Sequence, residues 1–147
     1  MADDEQRARR RGALALSVLL LLFVARVVAQ LWQYLWPNDV LPPFSEWQSG
    51  LLPYPALVTG QIAIILVSLW VIGRLMHGVL RPRPRVGLVL LAFGTVYFVF
   101  MAFRLVAGLT ILKGAAFFGA TLPAVFHLVL ASMLIITARQ LRRAPAA

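Results

Sequence analysis

The sequence predicts an all-α fold: an integral membrane, four-helix antiparallel bundle with both termini cytoplasmic. Three observations predict it. Hydrophobic residues make up 61% of the chain and charged residues 13%, too apolar a balance for an ordinary water-soluble domain. Four apolar runs, at about 13–36, 56–76, 86–109 and 116–138, each reach the roughly 20 residues a helix needs to cross the hydrocarbon core. The basic residues fall between these runs, and nearly all of them on one side. A chain of 147 residues has room for one transmembrane domain.

Residues 1–12 are polar and expected to be solvent-exposed or frayed, with Asp3, Asp4 and Glu5 ahead of Arg7, Arg9, Arg10 and Arg11. The first span follows. Trp32, Tyr34 and Trp36 gather at its far end, where amphipathic rings favour the interface, and Pro37 closes it. Its basic start, Leu-rich middle and Val27-Val28-Ala29 also fit a cleavable signal peptide. Arg26 just before that point, and apolar character continuing to Trp36, favour a retained span.

Residues 37–55 form an outer loop whose five prolines forbid a continuous helix. Ser45 to Ser49 fit one interfacial turn, with Phe44 and Trp47 expected to face lipid. The loop holds Asp39 and Glu46, the only acidic residues outside the N-terminal tail. They are either solvated or the counter-charges of a lid. In the second span Gln61, Ile65, Ser68 and Ile72 trace one face. The inner loop, 77–85, is basic, and its Arg-Pro-Arg-Pro run favours an extended turn. The third span carries Gly87, Gly94 and Gly108 on its polar face. Small residues at multiples of seven let a neighbouring backbone come close. A short connection around Lys113 and Gly114 leads to the fourth span, where Ala120, Ala124, His127, Ala131 and Ala138 share a face.

Eleven arginines, in the N-terminal tail, around 74–85 and at 139–143, would lie on one side of the membrane, and only Lys113 on the other. The positive-inside rule makes the first side cytoplasmic and the 37–55 loop periplasmic or extracellular. The Ala- and Arg-rich composition points to a GC-rich bacterial genome and hence a cell inner membrane. Anionic lipid at the cytoplasmic face is the expected partner of the basic residues, rather than nucleic acid, because no separate module interleaves them with stacking aromatics.

Each span also carries polar groups: Arg26 and Gln30 in the first, Gln61 in the second, Tyr97 and Arg104 in the third, His127 in the fourth. Tyr97, Met101 and Arg104 fall at i, i+4 and i+7 and so share one helical face. At 1.5 Å per residue all six lie in the central or outer half of their spans. Convergence of the four faces would make one outward-opening pocket. An arginine at mid-span costs about 2.5–3.5 kcal/mol on the insertion scale, and no span contains an Asp or Glu to offset it. For Arg104, near its span's end, snorkelling or pairing with Asp39 or Glu46 ranks ahead of ligand binding. Arg26 is deeper and calls for a partner chain or a hydrated cavity.

The absence of cysteine excludes disulfides, thiol redox chemistry and thiolate metal sites. No HExxH, GxSxG or P-loop motif is present. His127 most simply hydrogen-bonds Tyr97 or Gln61; it is also the one candidate axial haem ligand, since His77 lies at the far end. No metal or other cofactor is required by the sequence. In size and layout the chain resembles the membrane-associated glutathione and eicosanoid enzymes, but their Glu-Arg-rich second-span motif has no counterpart, residues 56–76 holding Arg74 and no Glu. The vitamin K epoxide reductase layout is similar too, without its cysteine pair. The leading expectation is a non-catalytic accessory or interaction subunit, partnered by another membrane subunit or a second copy. The alternatives are an enzyme or carrier that binds a small anionic or lipidic ligand through its intramembrane arginines, and a haem or chlorophyll carrier.

Overall fold

A computed structural model of the chain describes residues 2–47, 53–111 and 121–143. It is all-helical among these residues: α1 (Ala2–Leu35), a 3₁₀ turn (Phe44–Trp47), α2 (Tyr54–Met76), α3 (Pro84–Thr110) and α4 (Thr121–Arg142). All four α-helices are long and apolar enough to span a membrane. The expected start of the fourth span, residues 116–120, and the connection around Lys113 and Gly114 lie outside the described residues, as do Gln48 and Ser49 of the interfacial turn.

The tail expected to fray is instead the first three turns of α1. Three acids in the first turn suit the positive end of the helix dipole, and Glu5 lies 4.0 Å from Arg9 one turn on. At 34 residues α1 is roughly 50 Å long, well beyond the ~30 Å hydrocarbon core. Its buried face runs Ala13, Leu16, Leu20, Phe23, Arg26, Gln30, Gln33. Those steps of three and four residues trace one stripe, apolar up to Phe23 and polar from Arg26 onward.

Beyond α1 the Asn38 side chain accepts hydrogen bonds from the backbone N–H groups of Val40 and Leu41, while Gln33 clasps the Asn38 backbone at 3.1 and 3.2 Å. This Asx-type turn reverses the chain after Pro37. The sequence expectation for the following turn needs correction: Trp47 does not face lipid but is buried at 6% exposure, its indole N–H donating to the Pro42 carbonyl. Phe44 packs between Tyr34 and Tyr54, with ring centroids 5.3 and 5.1 Å away. A buried indole needs a partner for its N–H, and the proline-rich chain supplies a carbonyl that no helix uses.

The tightest helix contacts are α3 with α4, α4 with α1, and α1 with α2. The helices therefore pack in the order α2–α1–α4–α3, with α1 and α4 central. Burial follows this order: 33% and 28% of the most apolar windows of α1 and α4 are buried, against 17% in each of α2 and α3. Ala13, Leu16 and Leu20 of α1 meet Val71, Ile72 and Leu75 of α2 and Met133 of α4 in the apolar core.

Between α3 and α4 the small residues do what their spacing predicts. Gly87, Gly94 and Gly108 are buried on α3, and Ala124, Ala131 and Ala138 on α4 are fully buried at 0% exposure. A Cβ on Gly87 would lie 2.9 Å from the Ala138 carbonyl oxygen, and one on Gly94 3.1 Å from Ile135 Cγ1. The two backbones are thus as close as glycine allows.

Because α2 and α3 flank the central pair, the connection between them must cross beneath the ends of α1 and α4. It leaves α2 through a Schellman turn: the Val79 N–H reaches the Arg74 carbonyl at 3.0 Å, the Gly78 N–H reaches Leu75 at 3.1 Å, and Gly78 takes the left-handed φ of +67°. The Arg-Pro run then stays extended until Pro84, whose fixed φ suits the first helical position of α3. The Arg83 N–H ties the crossing to the Leu141 carbonyl of α4 at 2.8 Å.

Candidate functional site

The polar residues that the sequence singles out sit on the inward faces of their helices. Arg26, Gln30 and Gln61 are buried at 8%, 0% and 5% exposure, and Arg104 at 2%; Tyr97 and His127 are half-buried. They form two neighbouring groups.

The first group lies between α1 and α2. Gln61 Nε2 donates to Gln30 Oε1 at 3.1 Å. This single bond leaves Gln30 Nε2 and Gln61 Oε1 buried without a protein partner. Arg26, one turn from Gln30, donates through Nη2 to the Trp47 carbonyl oxygen at 2.6 Å, and its guanidinium carbon lies 5.6 Å from the centre of the Phe126 ring. The carbonyl bond is charge-assisted, worth about 1.5–3 kcal/mol, and the ring contact adds on the order of 1 kcal/mol. Arg26 Nε remains buried and unpartnered. Within a few residues the cluster thus presents two unused donors and one unused acceptor.

The second group lies between α3 and α4. The Tyr97 hydroxyl and His127 Nδ1 share a hydrogen bond of 2.5 Å, with the rings edge to face. Tyr97 also stacks on Phe93, centroids 5.9 Å apart. Arg104 Nη1 lies 3.9 Å from Met101 Sδ on the same face. With Nδ1 engaged by tyrosine, axial ligation of haem would have to use Nε2. Phe126 and His127 are consecutive on α4, so Arg26 over the Phe126 ring brings the two groups side by side. His127 also lies within electrostatic reach of both Arg26 and Arg104.

Asp39 and Glu46 are exposed, and the structure brings neither to Arg26 or Arg104. The loop reaches Arg26 with a backbone carbonyl instead of a carboxylate. No group of three or more His, Cys, Asp or Glu able to hold a metal ion occurs among the described residues. Two clefts, of about 840 and 470 Å³, lie among the arginines at the opposite end of α1, and neither is lined by any of these six residues.

Three contributors escape the sequence reading. Trp47 was assigned to lipid, and a main-chain carbonyl carries no side-chain signal. Phe126 looks like any lipid-facing aromatic. Gln33, buried and bound to Asn38, could have been found, because Arg26, Gln30 and Gln33 repeat the i, i+4, i+7 spacing of Tyr97, Met101 and Arg104. Comparison of the chain with protein-family models, with curated proteins and with solved structures finds no match in any of the three.

Proposed function

We propose that this small multi-pass membrane protein is a non-catalytic accessory or interaction subunit that receives an acidic group at the Arg26–Gln30–Gln61 cluster. In this reading it is a single-domain antiparallel bundle of a bacterial inner membrane, with both termini cytoplasmic and residues 37–55 outside. The contacts of Ala8 with Gln140, Arg26 with Phe126, and Gln30 with Gln61 support the antiparallel pairing. The starts of α1 and α3 and the ends of α2 and α4 carry the arginines that the positive-inside rule reads.

One observation carries the proposal. Arg26 is a buried guanidinium with no carboxylate of the described residues within ion-pairing distance, and its Nε, like Gln30 Nε2 and Gln61 Oε1, is buried without a hydrogen-bond partner. A buried charge left this way is costly, and intramembrane charges are retained where they pair with something. Arg26 Nε and Gln30 Nε2 are donors that a carboxylate or phosphate oxygen can accept from, and Gln61 Oε1 is an acceptor that a protonated acid or a water can donate to.

Purification from native membranes in mild detergent, followed by mass-spectrometric inventory, tests the reading. The wild type is expected to carry a second membrane protein, and Arg26→Leu to lose it while keeping its helices by circular dichroism. A solitary chain with nothing bound would overturn the proposal. A second reading, a carrier or enzyme for a small anionic or lipidic molecule, draws on the same unpartnered Arg26 Nε, which a headgroup phosphate can also engage. The same inventory would then return a small molecule, lost in Arg26→Leu and in Arg104→Ala.

A further inference from the structure

The larger cleft, of about 840 Å³, lies at the other end of the molecule, where the connection from α2 to α3 crosses beneath α1 and α4. Its volume is that of a small-molecule site. Four arginines line it from four separate segments: Arg9 of α1, Arg74 of α2, Arg81 of the crossing and Arg143 just beyond α4. Two carboxylates, Asp4 and Glu5, also line it, so its formal charge is about +2. That sum already counts Glu5, which lies 4.0 Å from Arg9 with both side chains more than two-fifths exposed.

Arg74 is the lining arginine with a buried, unpartnered nitrogen, its Nε. Its carbonyl is held by the Schellman turn, and its guanidinium lies 5.4 Å from the centre of the Trp70 ring. The turn also sets Gly78 against Arg9, so close that a Cβ there would lie 3.2 Å from Arg9 Nη1. Leu75, Val79, Leu80 and Pro82 line the cleft together with the arginines. Charged and apolar residues sharing one cleft, at the end of an apolar helix long enough to span a membrane, match an amphiphile whose anionic head lies at the water boundary.

We infer that this cleft is a phosphate-binding site for a ligand carrying about two negative charges, either the headgroup of an anionic phospholipid or a free phosphate ester. Guanidinium groups recognise phosphate oxygens through paired N–H donors, and four of them converging from separate elements define a site that a uniform basic surface does not. The inference is independent of the intramembrane cluster.

The full chain in dodecylmaltoside, studied by native mass spectrometry, tests it. The probes are a bis-phosphate phospholipid, phosphatidylcholine and inorganic pyrophosphate. The wild type is expected to retain the bis-phosphate lipid or pyrophosphate and to bind phosphatidylcholine at least about tenfold more weakly. Arg74→Gln with Arg81→Gln should lower retention by at least about tenfold, while Arg85→Gln, outside the cleft, leaves it unchanged. Circular dichroism checks that the double variant keeps its helices; the backbone acceptor role of residue 74 survives the substitution. Retention of the lipid alone identifies a headgroup site, and retention of pyrophosphate alone a site for a free ligand. Equal loss in Arg85→Gln or full retention in a folded double variant would overturn the site in favour of diffuse charge attraction, and equal binding of phosphatidylcholine would overturn it in favour of adsorption that ignores charge.

Discussion

Replacing Gly87 with alanine tests the closest approach in the fold. The new Cβ would lie 2.6 Å from Arg142 Cγ, 2.9 Å from the Ala138 carbonyl oxygen and 3.2 Å from the Arg142 backbone nitrogen. The arginine side chain can rotate away, but the two backbone atoms move only if α4 moves. Overpacking of this kind costs about 1–3 kcal/mol. Alanine recovers about 1 kcal/mol of helix propensity over glycine, which masks part of the effect. Gly73→Ala supplies the reference, since nothing lies within 4 Å of a Cβ there and only the propensity gain remains. The difference between the two variants should therefore be about 1–3 kcal/mol, with Gly87→Ala the less stable. Gly94→Ala should fall between them, because its nearest neighbours, Ile135 Cγ1 at 3.1 Å and Leu134 Cβ at 3.3 Å, stand farther off than those of Gly87. Unfolding midpoints in mixed detergent micelles, followed by circular dichroism, measure the series. Equal stability of Gly87→Ala and Gly73→Ala, within about 0.5 kcal/mol, would refute the close contact of α3 and α4.

Gln30→Leu alone removes the partner of Gln61 and should cost about 1 kcal/mol, while Gln30→Leu with Gln61→Leu should recover most of it; a double-mutant cycle in the same micelles gives the coupling, and a coupling near zero would remove the pair. Tyr97→Phe deletes the hydroxyl at His127 Nδ1 for about 0.6–1.5 kcal/mol. Nitrogen-15 NMR of the histidine should register the change, with the shift at Nδ1 larger than at Nε2. Gly78→Ala places a side chain at φ +67° and should cost about 1–2 kcal/mol, read from the same unfolding midpoints; an unchanged midpoint would remove the strained turn.

Much of the fold was legible because membrane spans are written in composition. Length and apolarity locate the helices, and the seven-residue spacing of Gly87, Gly94 and Gly108 marks the face that meets Ala124, Ala131 and Ala138. The order of the helices was not legible. Nothing in the local pattern says that α2 and α3, neighbours in sequence, lie on opposite flanks, since both present apolar faces to lipid and protein alike. The site divides in the same way. Costly polar groups such as Arg26, Gln30 and Gln61 can be picked out because a bilayer penalises them wherever they point. Their partners are main-chain or aromatic atoms, the Trp47 carbonyl and the Phe126 ring, and carry no signature of that role. Acidic residues in the loop after α1 invited pairing with the arginines, yet water solvates Asp39 and Glu46 more cheaply than burial would.

The flanking positions of α2 and α3 bear on how the chain assembles. Each is joined by close packing to one central helix, α2 to α1 and α3 to α4. Two pairs of sequence neighbours, α1 with α2 and α3 with α4, therefore meet at the interface of α1 with α4, where Met133 completes the core formed by α1 and α2. The basic crossing at 77–83 is the covalent link between the pairs. Cutting that link removes no helix–helix contact. Co-expressed fragments 1–80 and 81–147 should accordingly find each other in the membrane, and that recombination reports directly on the central interface.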